Sequence, residues 1–261
     1  MSTATAIATP MRPITLNRAL AEVPARGVTT VAKFRTRCAT CNLREICLPC
    51  GLQANDMARL DEVVYTRKRV KRGETLYRNG ETFESLYAVR SGFFKSSVVL
   101  EDGRDQVTGF HMAGEIVGMD GIGTDQHAAD VIALEDSEVC VIPYARIEEA
   151  GLSRQLSKVM SRELVRDQGV MMLLGTMRAE ERLAAFLLNL SQRFLARGYS
   201  PNEFHLRMTR DEIGSYLGLS LETVSRLFSR FQADRLISVQ QKHIRILDTT
   251  GLRAVMIHEQ N

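Results

Sequence analysis

Between Val63 and Pro143 apolar and polar residues alternate in short runs: ETLY, SLYAVRSG, FKSSVVL, QVTGFHM and SEVCVIP. A period of two is the signature of strands with one buried face. Asp102-Gly103 lies between two of these runs, and that dipeptide favours the tight turn of a β-hairpin. Many short antiparallel strands separated by glycines predict a jelly-roll barrel or sandwich.

After Pro143 the period lengthens. Residues 153–177 place apolar groups at helical spacing, with Ser153 as the expected cap. Met160, Leu164, Asp167, Met171 and Leu174 follow steps of four and three, the seam of a coiled coil with one charged member. Val170, Met172 and Leu173 widen the stripe beyond that seam, which suits a helix packed against both its own domain and a second subunit. AEERLAAFLLNLSQRFLARG then reads as another amphipathic helix, with Glu180 and Glu181 in its first turn and Gly198 ending it.

TRDEIGSYLGLSLETVSRLFSRFQ, from Thr209, is the most specific short pattern. Thr209 and Glu212 form a capping box for one helix and Ser220 caps the next, with Gly218 in the sharp turn between them. Ile213, Leu217, Leu219, Val224 and Leu227 supply a small shared core, and Gly214 permits close approach. This is a helix-turn-helix, and LISVQQKHIRIL after it predicts the hairpin of a winged variant. Glu222, Ser225 and Arg226 share the exposed face of the second helix, near its N-terminal end. Arg226 suits a bidentate contact to guanine, Glu222 an acceptor for the cytosine amine, and Ser225 a base edge or phosphate.

The chain of 261 residues is 44% apolar and 25% charged, a globular composition with room for two domains. No run approaches the ~20 apolar residues of a membrane-spanning helix. The net charge of +3 decides little, but residues 193–245 hold nine Lys or Arg against five acids, which permits nucleic-acid binding. Residues 1–33 carry a single acid, Glu22, and are expected to be a flexible leader rather than a transit peptide. A cytoplasmic location follows, where clustered thiols point to metal or redox chemistry.

Four cysteines, Cys38, Cys41, Cys47 and Cys50, crowd into residues 38–50, and Cys140 stands alone at the end of the last strand run. The first four would make a self-contained zinc site, although five residues between the two CxxC pairs is cramped. Iron-sulfur ligands crowd into short loops more often. A ligand at Cys140 would tie such a loop to the base of the long helix, whereas an isolated strand cysteine is usually an inert buried thiol. A cupin-like metalloenzyme would need clustered His and carboxylate ligands in the barrel, which holds only His111 and His127.

The cysteine spacing together with LYAVRSG, QVTGFHMAGEIVG, SEVCVIP, AEERLAAFLLNLSQRF and MTRDEIGSYLGLSLETVSRL resembles the FNR-type oxygen-responsive regulators of the CRP/FNR superfamily, over residues 38 to about 247. The resemblance implies an α+β chain: a cysteine-rich segment at 34–52, a cyclic-nucleotide-binding-like β-roll (jelly roll) at 53–150, a dimerisation helix at 151–178 and a winged helix-turn-helix at 179–261. It implies no enzymatic activity, an oxygen-labile 4Fe-4S cluster on Cys38, Cys41, Cys47 and Cys140, with Cys50 extra, and a homodimer joined through Met160, Leu164, Asp167, Met171 and Leu174. The dimer would bind palindromic DNA with half-sites like TTGAT through Glu222, Ser225 and Arg226 and would work with RNA polymerase, for which the hairpin Glu101 to Asp105 is a candidate contact. Cyclic nucleotide is not expected as a ligand: Gly114-Glu115 is present, but His127 and Ala128 stand where the phosphate partners would be.

Overall fold

The structure, a computed structural model, describes residues 37–64 and 66–256. The leader proposed for residues 1–33 lies outside them. A loop of successive turns (37–52) leads into α1 (Ala54–Val63). Eight strands follow: β1 (Thr66–Val70), β2 (Thr75–Tyr77), β3 (Ser85–Ser91), β4 (Phe93–Val99), β5 (Asp105–Met112), β6 (Ile116–Val117), β7 (Asp130–Ala133) and β8 (Ser137–Pro143). They form two four-stranded antiparallel sheets, ordered β1-β8-β3-β6 and β2-β7-β4-β5. Val70, Leu76, Val89, Phe94, Val117, Val131 and Val139 fill the space between the sheets. That is the jelly-roll expected from the alternating runs, and Asp102-Gly103 sits in the β4–β5 connection as anticipated.

A short helix α2 (Tyr144–Glu149) precedes the long α3 (Ser153–Thr176). Ser153 does not cap α3: the capping position is Leu152, with no side-chain bond, and the Ser153 carbonyl accepts from Ser157 Oγ one turn on. The helix starts one residue early because Leu152 is buried in the core beneath the cysteine loop and α1, beside Leu60, Ile147 and Leu156. Only the first turns of α3, at Gln155, Leu156 and Val159, are buried. Farther along, Leu164, Val165, Met171 and Met172 are all more than half exposed, so the apolar stripe outruns what its own domain covers.

The C-terminal domain comprises α4 (Ala179–Leu195), β9 (Glu203–His205), α5 (Arg210–Leu217), α6 (Leu221–Ala233), β10 (Ile237–Gln240), β11 (His243–Ile246) and α7 (Thr249–Ala254). Its wing is a three-stranded sheet, β10-β11-β9, one strand more than the sequence pattern predicted. Glu203–His205 is too short to show periodicity, and Phe204 alone of the three is buried. One continuous core joins this domain to the roll: Phe93, Val107, Phe110 and Met112 pack with α4, α5 and α6. The contact is also polar. Ser215 Oγ accepts from Val107 N at 2.8 Å and donates to Asp105 O at 3.1 Å, bridging α5 to the open edge of β5.

Candidate metal centre and nucleic-acid interface

The cysteine loop turns back on itself through bonds such as Cys41 N to Cys38 O and Cys47 N to Leu43 O. Leu48, 2% exposed, pins it into the core. Asp61 on α1 accepts from the backbone of Cys38 at 2.5 Å and of Ala39 at 3.3 Å, fixing its first turn. Cys140 lies on β8, an interior strand, paired across to Arg67 of β1 and Ala88 of β3. Cys38, Cys41, Cys47 and Cys140 line one cavity with Leu48, Val64, Ala88, Val89, Ile142 and Arg90. Cys50 does not line it. The cavity measures about 20 Å³, the room that one water needs. Among the described residues no three His, Cys, Asp or Glu side chains are grouped so as to hold a single metal ion.

Burial dominates the electrostatics of these thiols. It pushes the Cys38 thiol well above its ordinary range, and repulsion from Cys47, Cys140, Asp61 and Cys41 adds to the shift. Cys47 is pushed up to about 12, by burial first, against the pull of the Leu48 backbone N–H. Cys140 is also raised by burial, with Arg90 and Arg67 opposing. Arg90 Nη1 stands 3.8 Å from Cys41 Sγ and its Nε 3.3 Å from Glu138. A cation or cluster held here would bind the sulfurs as thiolates, displacing protons from the buried Cys38, Cys47 and Cys140 as it bound.

Gln155 carries the connection to α3. Its side chain is buried, and Nε2 donates to Leu48 O at 2.7 Å and to Cys50 O at 2.8 Å. A second buried hub lies above it. Glu115 is bound by Arg193 (Nη2–Oε2 2.7 Å), Arg197 (Nη2–Oε1 2.7 Å) and Arg166 of α3 (3.4 Å). Burial pushes this carboxyl up, but the three guanidinium groups pull it down further, to about 2. Gly114, beside it, packs on Ile46 of the cysteine loop, where a Cβ would lie 2.8 Å from the Ile46 side chain.

A cavity of about 890 Å³ lies between the roll and helices α3 and α4, lined among others by Tyr77, Ser96, His111, Asp120, Arg166 and Arg193. His127 is buried and stacked on Tyr77 with centroids 3.6 Å apart, while Asp120 accepts from Ala128 N at 2.7 Å and faces His127 Nδ1 at 3.4 Å. An acid thus stands beside His127 and Ala128. His111 is held by Ser96 Oγ at 3.0 Å and pushed down to about 3, by burial first and then by Arg166. The two histidines have different partners, Ser96 for His111 and Tyr77 with Asp120 for His127.

The helix-turn-helix forms as its sequence dictates. Thr209 N donates to Glu212 Oε2 at 2.7 Å and Glu212 N to Thr209 Oγ1 at 3.1 Å, a complete capping box. Ser220 Oγ caps α6 by accepting from Thr223 N at 3.2 Å. Gly218 turns the chain at φ +65°, and a Cβ on Gly214 would meet Leu219 O at 2.6 Å, so both glycines are required by the backbone. Ile213, Leu217, Val224 and Leu227 are buried and Leu219 is partly so. Glu222, Ser225 and Arg226 are all exposed on the first two turns of α6. Arg210, whose guanidinium sits 3.1 Å from the Phe228 ring centroid, fixes the back of the pair. Of the proposed seam on α3, Met160, Leu164, Asp167 and Met171 are exposed, whereas Leu174 is half-buried and its carbonyl accepts from Arg182 of α4.

Sequence reasoning missed Gln155 and Asp61, and met Glu115 only as half of a Gly-Glu phosphate motif. Each is a polar residue in an otherwise apolar or helical run, and only the tertiary contacts give it a role. No helix among the described residues is long and apolar enough to cross a membrane.

Comparison with known proteins agrees with this geometry. Residues 67–152 match the cyclic nucleotide-binding domain family and residues 181–255 the Crp-like helix-turn-helix domain. The transcriptional regulatory protein btr of Bordetella pertussis is 48% identical, over 85% of this chain and 94% of its own. The transcriptional activator protein FnrA of Stutzerimonas stutzeri is 47% identical over 86% and 94%, and the fumarate and nitrate reduction regulatory protein of Escherichia coli K12 42% over 86% and 92%. Among solved structures, FixK2 from Bradyrhizobium japonicum superposes with a TM-score of 0.68 at 29% identity, covering 74% of this chain and 98% of FixK2. With a β-roll, an exposed long helix and a capped helix-turn-helix in this order, the chain belongs to the CRP/FNR family and is a DNA-binding transcription regulator, not an enzyme.

Proposed function

We propose that this regulator senses oxygen through a 4Fe-4S cluster held by Cys38, Cys41, Cys47 and Cys140, and that the loaded protein, as a cytoplasmic homodimer, activates anaerobic or microaerobic genes. The observation that carries the reading is the sharing of one cavity by three loop thiols and Cys140, with Cys50 outside it. A zinc site built from the loop alone would need Cys50 in that set. A bound cluster supplies an oxygen-labile cross-link between the loop and β8.

The chain's own residues do the rest. A group larger than one water pushes the loop outward, because the cavity has only about 20 Å³. Arg90 and Arg67, on strands flanking β8, offset the negative charge of four thiolates. On α3, Met160, Leu164, Met171 and Leu174 join two copies across a twofold axis. There the two Asp167 carboxylates face one another, and their repulsion holds the empty protein near the balance between monomer and dimer. The dimer places two α6 helices in successive major grooves of a palindrome with half-sites like TTGAT, read by Glu222, Ser225 and Arg226. The exposed β4–β5 hairpin, Glu101 to Asp105, then meets RNA polymerase.

Protein purified without oxygen should absorb in the thiolate-to-iron charge-transfer region, contain iron and sulfide, and bleach in air as it loses dimer and DNA binding. A colourless protein with stoichiometric zinc that dimerises equally in air would overturn the proposal.

A further inference from the structure

Gln155 is buried, lies in the first turn of α3 and has both amide hydrogens committed to one neighbour, the cysteine loop. The orientation of its amide is dictated by those partners. Turning it over would set Oε1 against two carbonyl oxygens, so only Nε2 can face the loop. Its Oε1 has no hydrogen-bond partner, so the hydrogen bonds its side chain makes both run to the loop. The carbonyls it holds belong to Leu48, the apolar pin of the loop, and to Cys50, three residues beyond Cys47. The same helix, from Met160 onward, exposes the apolar stripe.

We propose that Gln155 is the positioning residue that reports the state of the cysteine loop to the dimerisation helix, and that Cys50 serves in this link through its backbone carbonyl. The inference rests on the oxygen-sensing reading above. Loop displacement on filling the cavity moves the Leu48 and Cys50 carbonyls, and Gln155 must follow or lose both bonds. Rotation of the first turn of α3 then re-aims a rigid helix whose seam begins five residues later. Cys50 therefore acts through its backbone carbonyl, a role that does not call on its sulfur.

The test compares wild type with Gln155→Met, which keeps the volume and removes the donors, and Gln155→Glu, which keeps the shape and puts a carboxylate against two carbonyls. Iron and sulfide content, absorbance and dimer Kd by sedimentation equilibrium are measured with and without air. Both variants should load the cluster like wild type, yet the ratio of aerobic to anaerobic dimer Kd should shrink by on the order of tenfold, as loss of two buried hydrogen bonds predicts. A merely structural Gln155 would lower thermal stability and leave that ratio unchanged, which overturns the inference. If the variants do not fold, hydrogen exchange on wild type decides. Protection at residues 48–52 and 153–159 must change together on exposure to air, and a constant first turn of α3 refutes the link. A wild-type ratio of one would instead refute the sensing proposal itself.

Discussion

Glu115 offers the sharpest energetic test. Replacing it by Gln keeps the shape of the side chain but leaves Arg193, Arg197 and Arg166 facing a neutral amide in a buried site. The carboxyl is held at about 2 in the folded protein against an ordinary value of 4.5. At about 1.4 kcal/mol per unit, that difference corresponds to roughly 3 kcal/mol at neutral pH, in line with the ~3–5 kcal/mol cost of breaking a buried ion pair. The depressed value means the contribution is fully present above pH ~4.5 and disappears as pH falls towards ~2. Thermal melts of wild type and Glu115→Gln should therefore differ by about 6–12 °C at pH 7, at ~2–4 °C per kcal/mol for a chain of this size. The gap should close progressively below pH ~4.5. A gap under about 2 °C at pH 7, or one that persists unchanged to the acid limit of folding, would show that the arginines do not stabilise the ionised carboxylate.

Other substitutions test the remaining parts. Cys50→Ala should retain iron incorporation while Cys140→Ala abolishes it, as read by iron content and visible absorbance after anaerobic reconstitution. Asp61→Ala removes the acceptor for the Cys38 and Ala39 backbone and should cost about ten- to a hundredfold in metal affinity, whereas Asp61→Asn, which keeps an oxygen there, should cost much less in a competitive chelation assay. Arg226→Ala should lose about 1–3 kcal/mol of discrimination at one base pair of the half-site, measured by binding to single-base variants of the site under anaerobic conditions. Ser220→Ala removes the α6 cap and should lower stability by about 1 kcal/mol in denaturant titration, with no change in iron content.

The roll and the helix-turn-helix were legible because their signals are local. Alternation along β3–β5 and β8, the Thr209–Glu212 box and Gly218 each declare their geometry within a few residues. Gathering Cys140 with three cysteines about a hundred positions earlier is not local: the resemblance alone implied that set, and their lining of one cavity is a tertiary fact that no short pattern carries. What stayed hidden depends on who meets whom in space. Glu115 reads as half of a Gly-Glu phosphate motif until three arginines surround it. Gln155 reads as one more polar helix residue until the loop folds down upon it. Ser153 misled because capping propensity yielded to the burial of Leu152.

The Ser215 bridge to β5 bears on solubility as well as on docking. β5 is the last strand of its sheet, and Ser215 occupies backbone groups of Asp105 and Val107 that another chain's strand would otherwise reach. The helix that begins the DNA-reading pair is thus also a guard on the sheet margin, so a proteolytic fragment ending before α4 would carry an open, sticky strand into the cell.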